Sequence, residues 1–334
     1  QGVLVKGGNY IEQLVSCDTL ILDKTGTVTE GRPIVTTVAP TDPDTTPRML
    51  MEYAAAAEET ATHPMAMAIL SHVRKSGWQI PKHGDTNIAT GMGVETTIGK
   101  HRVRVGNRRY MSEHGIDVTP AHETVSRIAQ RGESSIYIAS TSKIKGIVGI
   151  QDTLKGNMKK ALNRIRKTSI DDVILLTGDV EQQAEVVAAR ILADAFHAEV
   201  LPENKSEVVM QLQSKGVRVI MVGDGINDAP ALAYADVGIA MGGTRTDIAM
   251  EAADITISRD DPLLLPGVIG MATRCMSIIR QNFAASIGIN SAGLLLASFG
   301  VLPVFWGAVL HNATTIAVVA NSARMLFFDI EEGK

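Results

Sequence analysis

Three short apolar runs, each opening into polar residues, restrict this chain more than any other feature. Thr19-Leu20-Ile21-Leu22 runs into Asp23, Asp172-Val173-Ile174-Leu175-Leu176 into Thr177-Gly178-Asp179, and Val217-Arg218-Val219-Ile220-Met221-Val222 into Gly223-Asp224-Gly225. Runs of this length and texture mark strands buried on both faces of a parallel sheet. The stretches 181–192 and 204–215 between them read as helices, so βαβ units of an α/β fold are expected. Right-handed crossovers then set the three polar loops side by side, at the edge where open α/β sheets bind ligands.

Between residues 31 and 149 the texture changes to short β-like pieces with glycine turns, such as Thr96-Thr97-Ile98-Gly99 and His101-Arg102-Val103-Arg104-Val105-Gly106. A helix-like run over 47–57 is expected to start near Thr46, with Pro47 in its first turn. The region reads as an α+β domain inserted into the first. The expected division is 1–33 and 150–272 for the parallel-sheet domain and 34–149 for the insert. A membrane hairpin follows at 273–328, with a tail at 329–334. There are no internal repeats and no low-complexity tract.

The hairpin rests on residues 281–322, which contain no Asp, Glu, Lys or Arg. Leu302-Pro303 divides this stretch into two apolar segments of about 20 residues, each long enough to cross ~30 Å of hydrocarbon. Arg274 and Arg280 precede it and Arg324 follows, which places the soluble part on the cytoplasmic side of a cell membrane. The opening QGVLVKGG lacks a signal-peptide layout and reads as though it begins mid-protein. With 32 basic and 36 acidic residues the net charge is -4, so no basic face for a nucleic-acid partner is expected. Cys17 and Cys275 lie far apart without zinc-ligand spacing and read as ordinary small apolar residues.

Asp23 ends its strand and is followed by Lys24-Thr25-Gly26-Thr27. A carboxylate in such a loop is a competent nucleophile toward phosphorus once charge on the transferring group is neutralised. Asp224 and Asp228 offer hard oxygen ligands suited to Mg²⁺, Lys205 a point charge, and Thr177 a hydroxyl for phosphoryl oxygens. There is no GxxxxGK[ST], so the chain is not a P-loop enzyme. Singly these fragments say little: an Asp-Gly pair is most often a turn.

In this order, Asp23-Lys24-Thr25-Gly26-Thr27, Thr177-Gly178-Asp179, Lys205 and Gly223 to Leu232 (GDGINDAPAL) resemble the P-type ATPases, whose phosphorylation domain has the haloacid-dehalogenase fold. The resemblance implies an aspartyl phosphate on Asp23. It further implies catalytic roles for Lys24, Thr25, Thr177, Gly178, Asp179, Lys205, Asn227 and Asp228, and Mg²⁺ held by Asp23, Thr25, Asp224 and Asp228. The insert resembles the nucleotide-binding domain of the heavy-metal subgroup through His63-Pro64, Glu58, Gly91 with Gly93, and Gly106-Asn107, which implies that these residues line an ATP pocket. For His63 alone, a capping or core role is the plainer alternative. Asp152 and Lys155 match the element at the return from the insert and read as hinge or phosphate-side support. An actuator domain and earlier membrane spans, which the family requires, are absent from these 334 residues.

Polar residues in apolar spans favour an ion path over lipid. Asn290, His311, Thr315 and Asn321 are the candidates for the transported ion, with His311 and Thr315 four apart on one helical face. Imidazole suits a divalent transition metal, and His311 stands where copper(I) pumps of the subgroup carry Met. His311-Asn312-Ala313-Thr314-Thr315 is nearer the His-Glu-Gly-Gly-Thr of cobalt/zinc-type pumps, from which Asn312, Ala313 and Thr314 depart. The alternative is a membrane-anchored phosphatase of the same fold. Such enzymes carry an acid two residues after the nucleophile, where this chain has Thr25.

Overall fold

The structure is a computed structural model that describes residues 2–89, 91–225, 228–242 and 251–331. In chain order its strands are β1 (Val3–Val5), β2 (Thr19–Asp23), β3 (Ile34–Pro40), β4 (Asn87–Ala89), β5 (Gly93–Ile98), β6 (His101–Gly106) and β7 (Ser134–Ser140). They continue as β8 (Lys143–Gln151), β9 (Asp172–Leu176), β10 (Ala195–His197), β11 (Val219–Gly223), β12 (Val237–Met241) and β13 (Ile255–Ile257). Every residue of β2, β11, β12 and β13 is buried, as the unbroken apolar runs require. By contrast, β3 and β5 alternate between more and less buried positions, the period-2 pattern of a sheet with unlike faces.

The chain divides into two units, Gln1–Ile21 with Asn157–Val173 and Glu203–Lys334, and Leu22–Gly156 with Ile174–Pro202. In the first, the strands run β1-β13-β12-β11. β11 and β12 pair in parallel, as do β12 and β13, while β1 closes the edge antiparallel. Asp18 joins the entry points of three strands. Its amide donates to the Arg218 carbonyl at 3.1 Å, its carbonyl accepts from the Asp171 amide at 2.7 Å, and its Oδ1 accepts from the Arg218 amide at 3.2 Å.

Helix Leu264–Ser298 begins among buried residues, Leu264, Leu265, Val268, Ile269 and Ala272, and continues unbroken past Arg274 and Arg280. Beyond them Phe283, Ile287, Leu294 and Leu295 are exposed. Pro303 starts the following helix, Val304–Ser322. At the base of this hairpin Asn321 Nδ2 donates to Asn282 Oδ1 at 2.8 Å and Asn282 Nδ2 donates to Ser322 Oγ at 2.9 Å. Among the described residues one helical segment, Val304–Phe327, is long and apolar enough by itself to cross a membrane. The other expected span is the exposed half of Leu264–Ser298, whose first turns belong to the soluble core.

In the second unit six strands form an antiparallel sheet in the order β3-β8-β7-β6-β5-β4. Helices Pro47–Glu58 and Pro64–Lys75 pack on one face through Leu50, Met51, Ala54, Ile69 and Val73, against Val103, Val105, Ile136 and Ile138. Tyr110, Met111, Ile128, Tyr137 and Ile147 form a second core. The expected helix start is present: Thr46 Oγ1 accepts from the Met49 amide at 3.2 Å and Pro47 stands in the first turn. The same unit holds the parallel pair β9–β10, with Ile174 opposite Ala195 and helix Glu181–Ile191 between the strands in sequence.

Gly93 and Gly106 are register partners on β5 and β6. A Cβ on Gly106 would lie 2.5 Å from the Met92 carbonyl oxygen, 2.7 Å from Gly93 Cα and 2.8 Å from Tyr110 Cδ1. Two of these neighbours are backbone and cannot swing aside. Gly106→Ala is therefore expected to destabilise the insert by ~1–3 kcal/mol, the usual cost of overpacking, read as a lowered midpoint in urea unfolding.

Candidate active site

Asp23 is the last residue of β2 and is 4% exposed. The chain then turns sharply through Lys24–Val28, with Gly26 at φ +75°, a conformation that glycine adopts at little cost. The turn is closed by the Thr29 amide donating to the Lys24 carbonyl at 3.0 Å. The segment returning from the insert holds it from outside: Lys155 Nζ donates to the Gly26 carbonyl at 2.7 Å, and the Lys155 amide to the Val28 carbonyl at 3.0 Å. Thr29 Oγ1 donates to Asp152 Oδ2 at 2.5 Å, and Asp152 Oδ1 accepts from the Arg32 amide at 3.1 Å. Asp152 and Lys155 thus support the loop that presents the candidate nucleophile.

Across the loop, Lys24 Nζ lies 2.5 Å from Asp179 Oδ2, both side chains being largely buried. Thr177 Oγ1 accepts from the Asp179 amide at 3.1 Å, while the Thr177 amide donates to the His197 carbonyl at 3.0 Å. These bonds tie the end of β9 to β10 and aim Asp179 back toward Lys24. A cavity of about 320 Å³ opens here, lined by Lys24, Thr25 and Asp179 together with His63 and Pro64 of the insert and with Arg190.

His63 takes the capping role that the sequence offered as the plainer alternative, and its ring has a second partner. It is the N-cap of helix Pro64–Lys75, where Nδ1 accepts from the Ala66 amide at 3.2 Å. Nε2 then lies 3.1 Å from Glu58 Oε2. The Glu58 side chain is 5% exposed, and Oε2 is buried without an aligned hydrogen-bond donor. Burial raises the Glu58 carboxyl above the usual range, and the nearby His63 ring counters part of that shift.

The remaining insert residues have structural work of their own. Asn107 caps helix Arg108–Glu113, accepting from the Tyr110 amide at 2.9 Å, and donates to the Gly91 carbonyl at 3.2 Å. Gly93 and Gly106 are glycines because strands and the Tyr110 ring meet over them. The cavity lining includes His63 and Pro64 but not Glu58, Gly91, Gly93, Gly106 or Asn107.

In the first unit Lys205 opens helix Lys205–Ser214, and its Nζ donates to Asp228 Oδ1 at 2.5 Å. The two side chains are 8% and 0% exposed. The other Asp228 oxygen, Oδ2, is buried without a hydrogen-bond partner. A Cβ on Gly223 would fall 2.6 Å from it, so only glycine fits beneath. Burial is the main influence on the Asp228 carboxyl and raises it, while Lys205 pulls it back. Asn227 lies outside the described residues. Among the transported-ion candidates, Asn290 and His311 are exposed, and Thr315 Oγ1 donates to the His311 carbonyl at 3.1 Å. Asn321 is bound to Asn282 and accepts from Arg324 Nη1 at 3.0 Å. No group of three or more His, Cys, Asp or Glu side chains able to hold a metal is present among the described residues. Sequence reading passed over Arg190 and Asn282. Asn282 carried a signal, since it is polar at the start of the charge-free stretch; an arginine on a helix carried none.

A family model described as haloacid dehalogenase-like hydrolase matches residues 17–236. A zinc-exporting P-type ATPase of Mycobacterium marinum is 38% identical over 99% of this chain and 45% of its own length. A manganese-exporting P-type ATPase of Mycobacterium bovis is 37% identical over 99% and 46% respectively. The chain spans about half the length of the curated relatives it matches. Among solved structures, that of a zinc-transporting PIB-type ATPase in the E2.Pi state matches with a TM-score of 0.79 and 30% identity, over 98% of this chain and 52% of that one.

Next to Glu58, Glu59 Oε2 lies 2.7 Å from His83 Nε2. This hydrogen bond, with a second to the Gly84 carbonyl, raises the His83 pKa against the opposing effect of burial. A raised folded-state value stabilises fully below the unfolded value of about 6.5 and is lost as pH rises through the folded one. Urea unfolding of the wild type should therefore show this increment at pH 6 and its loss by pH 9, whereas His83→Gln should remove that part of the pH dependence.

Proposed function

The chain belongs to the haloacid dehalogenase-like hydrolase family, and from that premise we propose that it is the catalytic and C-terminal membrane part of an ATP-driven heavy-metal exporter of the P type. The observation that carries this reading is the cavity shared by Lys24, Thr25 and Asp179 with His63 and Pro64. A nucleotide held by the insert can there extend its phosphates toward the loop after Asp23. Residues 1–33 and 150–272 are taken as the phosphorylation domain and 34–149 as the nucleotide-binding insert. The segment 273–328 is read as the membrane hairpin of an integral membrane protein whose catalytic domains face the cytoplasm.

In the proposed reaction a carboxylate oxygen of Asp23 bonds to the γ-phosphorus of ATP. The bond from that phosphorus to the bridging oxygen breaks, and ADP leaves with the electron pair. Lys24, next to Asp23 in sequence, and Thr177, which follows β9, offset charge on the phosphoryl oxygens. The buried Glu58 carboxyl, with Oε2 3.1 Å from His63 Nε2, is read as orienting the base together with His63. Thr25 gives no acid for rapid hydrolysis, so the phosphoenzyme persists. The residues fit a magnesium ion: Asp228 Oδ2 is a buried acceptor without a hydrogen bond, and Asp224 shares its loop. Asp224 and Asp228 are the residues of the first unit that would hold it. Magnesium, when bound, lowers the charge that the phosphoryl group presents to the incoming carboxylate.

Two experiments test this reading in the full-length protein. Incubation with γ-labelled ATP and Mg²⁺ should give an acid-stable, hydroxylamine-sensitive label that Asp23→Asn abolishes. Equal labelling of the variant would overturn it. For the cargo, a divalent transition metal, ATPase activity titrated with zinc, cobalt, nickel, manganese and iron(II) should change its ion preference in His311→Ala. An unchanged preference would remove His311 from the ion path.

A further inference from the structure

Helix Glu181–Ile191 begins two residues after Asp179, and two of its side chains are bound to one turn of the insert, Arg131 to Ser134. Gln183, 8% exposed, donates from Nε2 to the Glu133 carbonyl at 2.7 Å, and Ser134 Oγ lies 3.4 Å from its Oε1. Arg190 donates from Nη2 to the Arg131 carbonyl at 2.7 Å. The turn itself is anchored in the insert's sheet. Glu133, 4% exposed, accepts from Thr37 Oγ1 of β3 at 2.8 Å, and Gln151 Nε2 at the end of β8 donates to the same Arg131 carbonyl at 3.3 Å. Gly132, at φ +73°, packs so closely on the helix that a Cβ there would meet Val186 Cγ1 at 3.1 Å. Gly132, Ser134 and Arg190 all line the cavity that also holds Lys24 and His63.

We propose that Gln183 and Arg190 are positioning residues for nucleotide: they hold the insert's turn 131–134 on helix Glu181–Ile191 and so set the span between His63 and the loop after Asp23. A buried glutamine with its amide on a partner carbonyl keeps its place only while that carbonyl is there. The helix starts beside the Lys24–Asp179 contact, so a shift of the turn is felt where the phosphates must lie. Reactivity in such a site falls steeply with small displacements of the donor. This inference rests on the aspartyl-phosphate reading above, and its consequence differs between phosphoryl donors. ATP needs the insert, because the base is bound there. Acetyl phosphate carries no base. Attack by Asp23 on its phosphorus expels acetate, and the insert's position is irrelevant.

The test is label incorporation into the full-length protein from γ-labelled ATP and from labelled acetyl phosphate, in wild type, Arg190→Ala, Arg190→Lys and Gln183→Ala. Removal of Arg190 or Gln183 should lower labelling at sub-saturating ATP, and combining Gln183→Ala with Arg190→Ala should lower it by about thirtyfold, the equivalent of two ordinary hydrogen bonds. The loss should appear in the apparent KM for ATP, while labelling from acetyl phosphate stays within about twofold of wild type, below the factor that one bond is worth. Arg190→Lys, which keeps a cationic donor, should recover part of the loss. Unchanged labelling by ATP overturns the proposal. Equal loss with both donors also overturns it, since it means a general folding role. Failure of the wild type to take label from either donor would instead strike at the aspartyl-phosphate reading.

Discussion

The loop that presents Asp23 is held by the segment that returns from the insert, and the rest of the site depends on that grip. Two chain segments more than a hundred residues apart meet there, with Lys155 on the Gly26 carbonyl and Asp152 on Thr29 and Arg32. A loop whose turn residue is a left-handed glycine has little rigidity of its own. The ammonium of Lys155 is 4% exposed, and a charge taken this far from water is tolerable only where oxygen atoms surround it. The loop after Asp23 therefore depends on the returning segment for its shape. The segment that carries the chain back from the insert thus also fixes the loop that follows Asp23.

Much of this was legible in the sequence because it is local. Helices expected over 181–192 and 204–215 end within a residue of Glu181–Ile191 and Lys205–Ser214. The run expected over 47–57 becomes Pro47–Glu58. Hydrophobic periodicity and capping residues decide such elements, and both can be read in one window. The buried strands were equally plain, since an apolar run ending in Asp has few ways to be satisfied. The apolar hairpin was legible in composition but not in its boundary. The first helix starts inside the soluble core and leaves it without a break, so no punctuation separates the two environments.

What the sequence hid is tertiary. Gly93, Gly106 and Asn107 are motif residues, yet each has a steric or capping reason that appears only once β5, β6 and Tyr110 are set beside one another. Of the motif residues of the insert, only His63 and Pro64 reach the cavity lining. His63 shows the opposite economy. Its two ring nitrogens have separate partners, one closing the helix and the other facing Glu58. Capping fixes the ring plane and with it the direction of the second nitrogen.

Lys205 and Asp228 carry the same logic into the first unit. A lone buried carboxylate would take up a proton rather than stay charged, and burial does raise Asp228. Lys205 on Oδ1 keeps ionisation within reach, while Oδ2 stays buried with no hydrogen bond. A lysine on both oxygens would have made a satisfied structural pair, indifferent to ligands. A carboxylate satisfied on one side only is improved by any cation that reaches the other, and a divalent ion improves it most. A Cβ on residue 223 would fall 2.6 Å from Oδ2, so glycine is needed beneath this carboxylate. The half-satisfied acid is thus a poor contributor to stability, because its second oxygen is buried with no hydrogen bond to offset the loss of water.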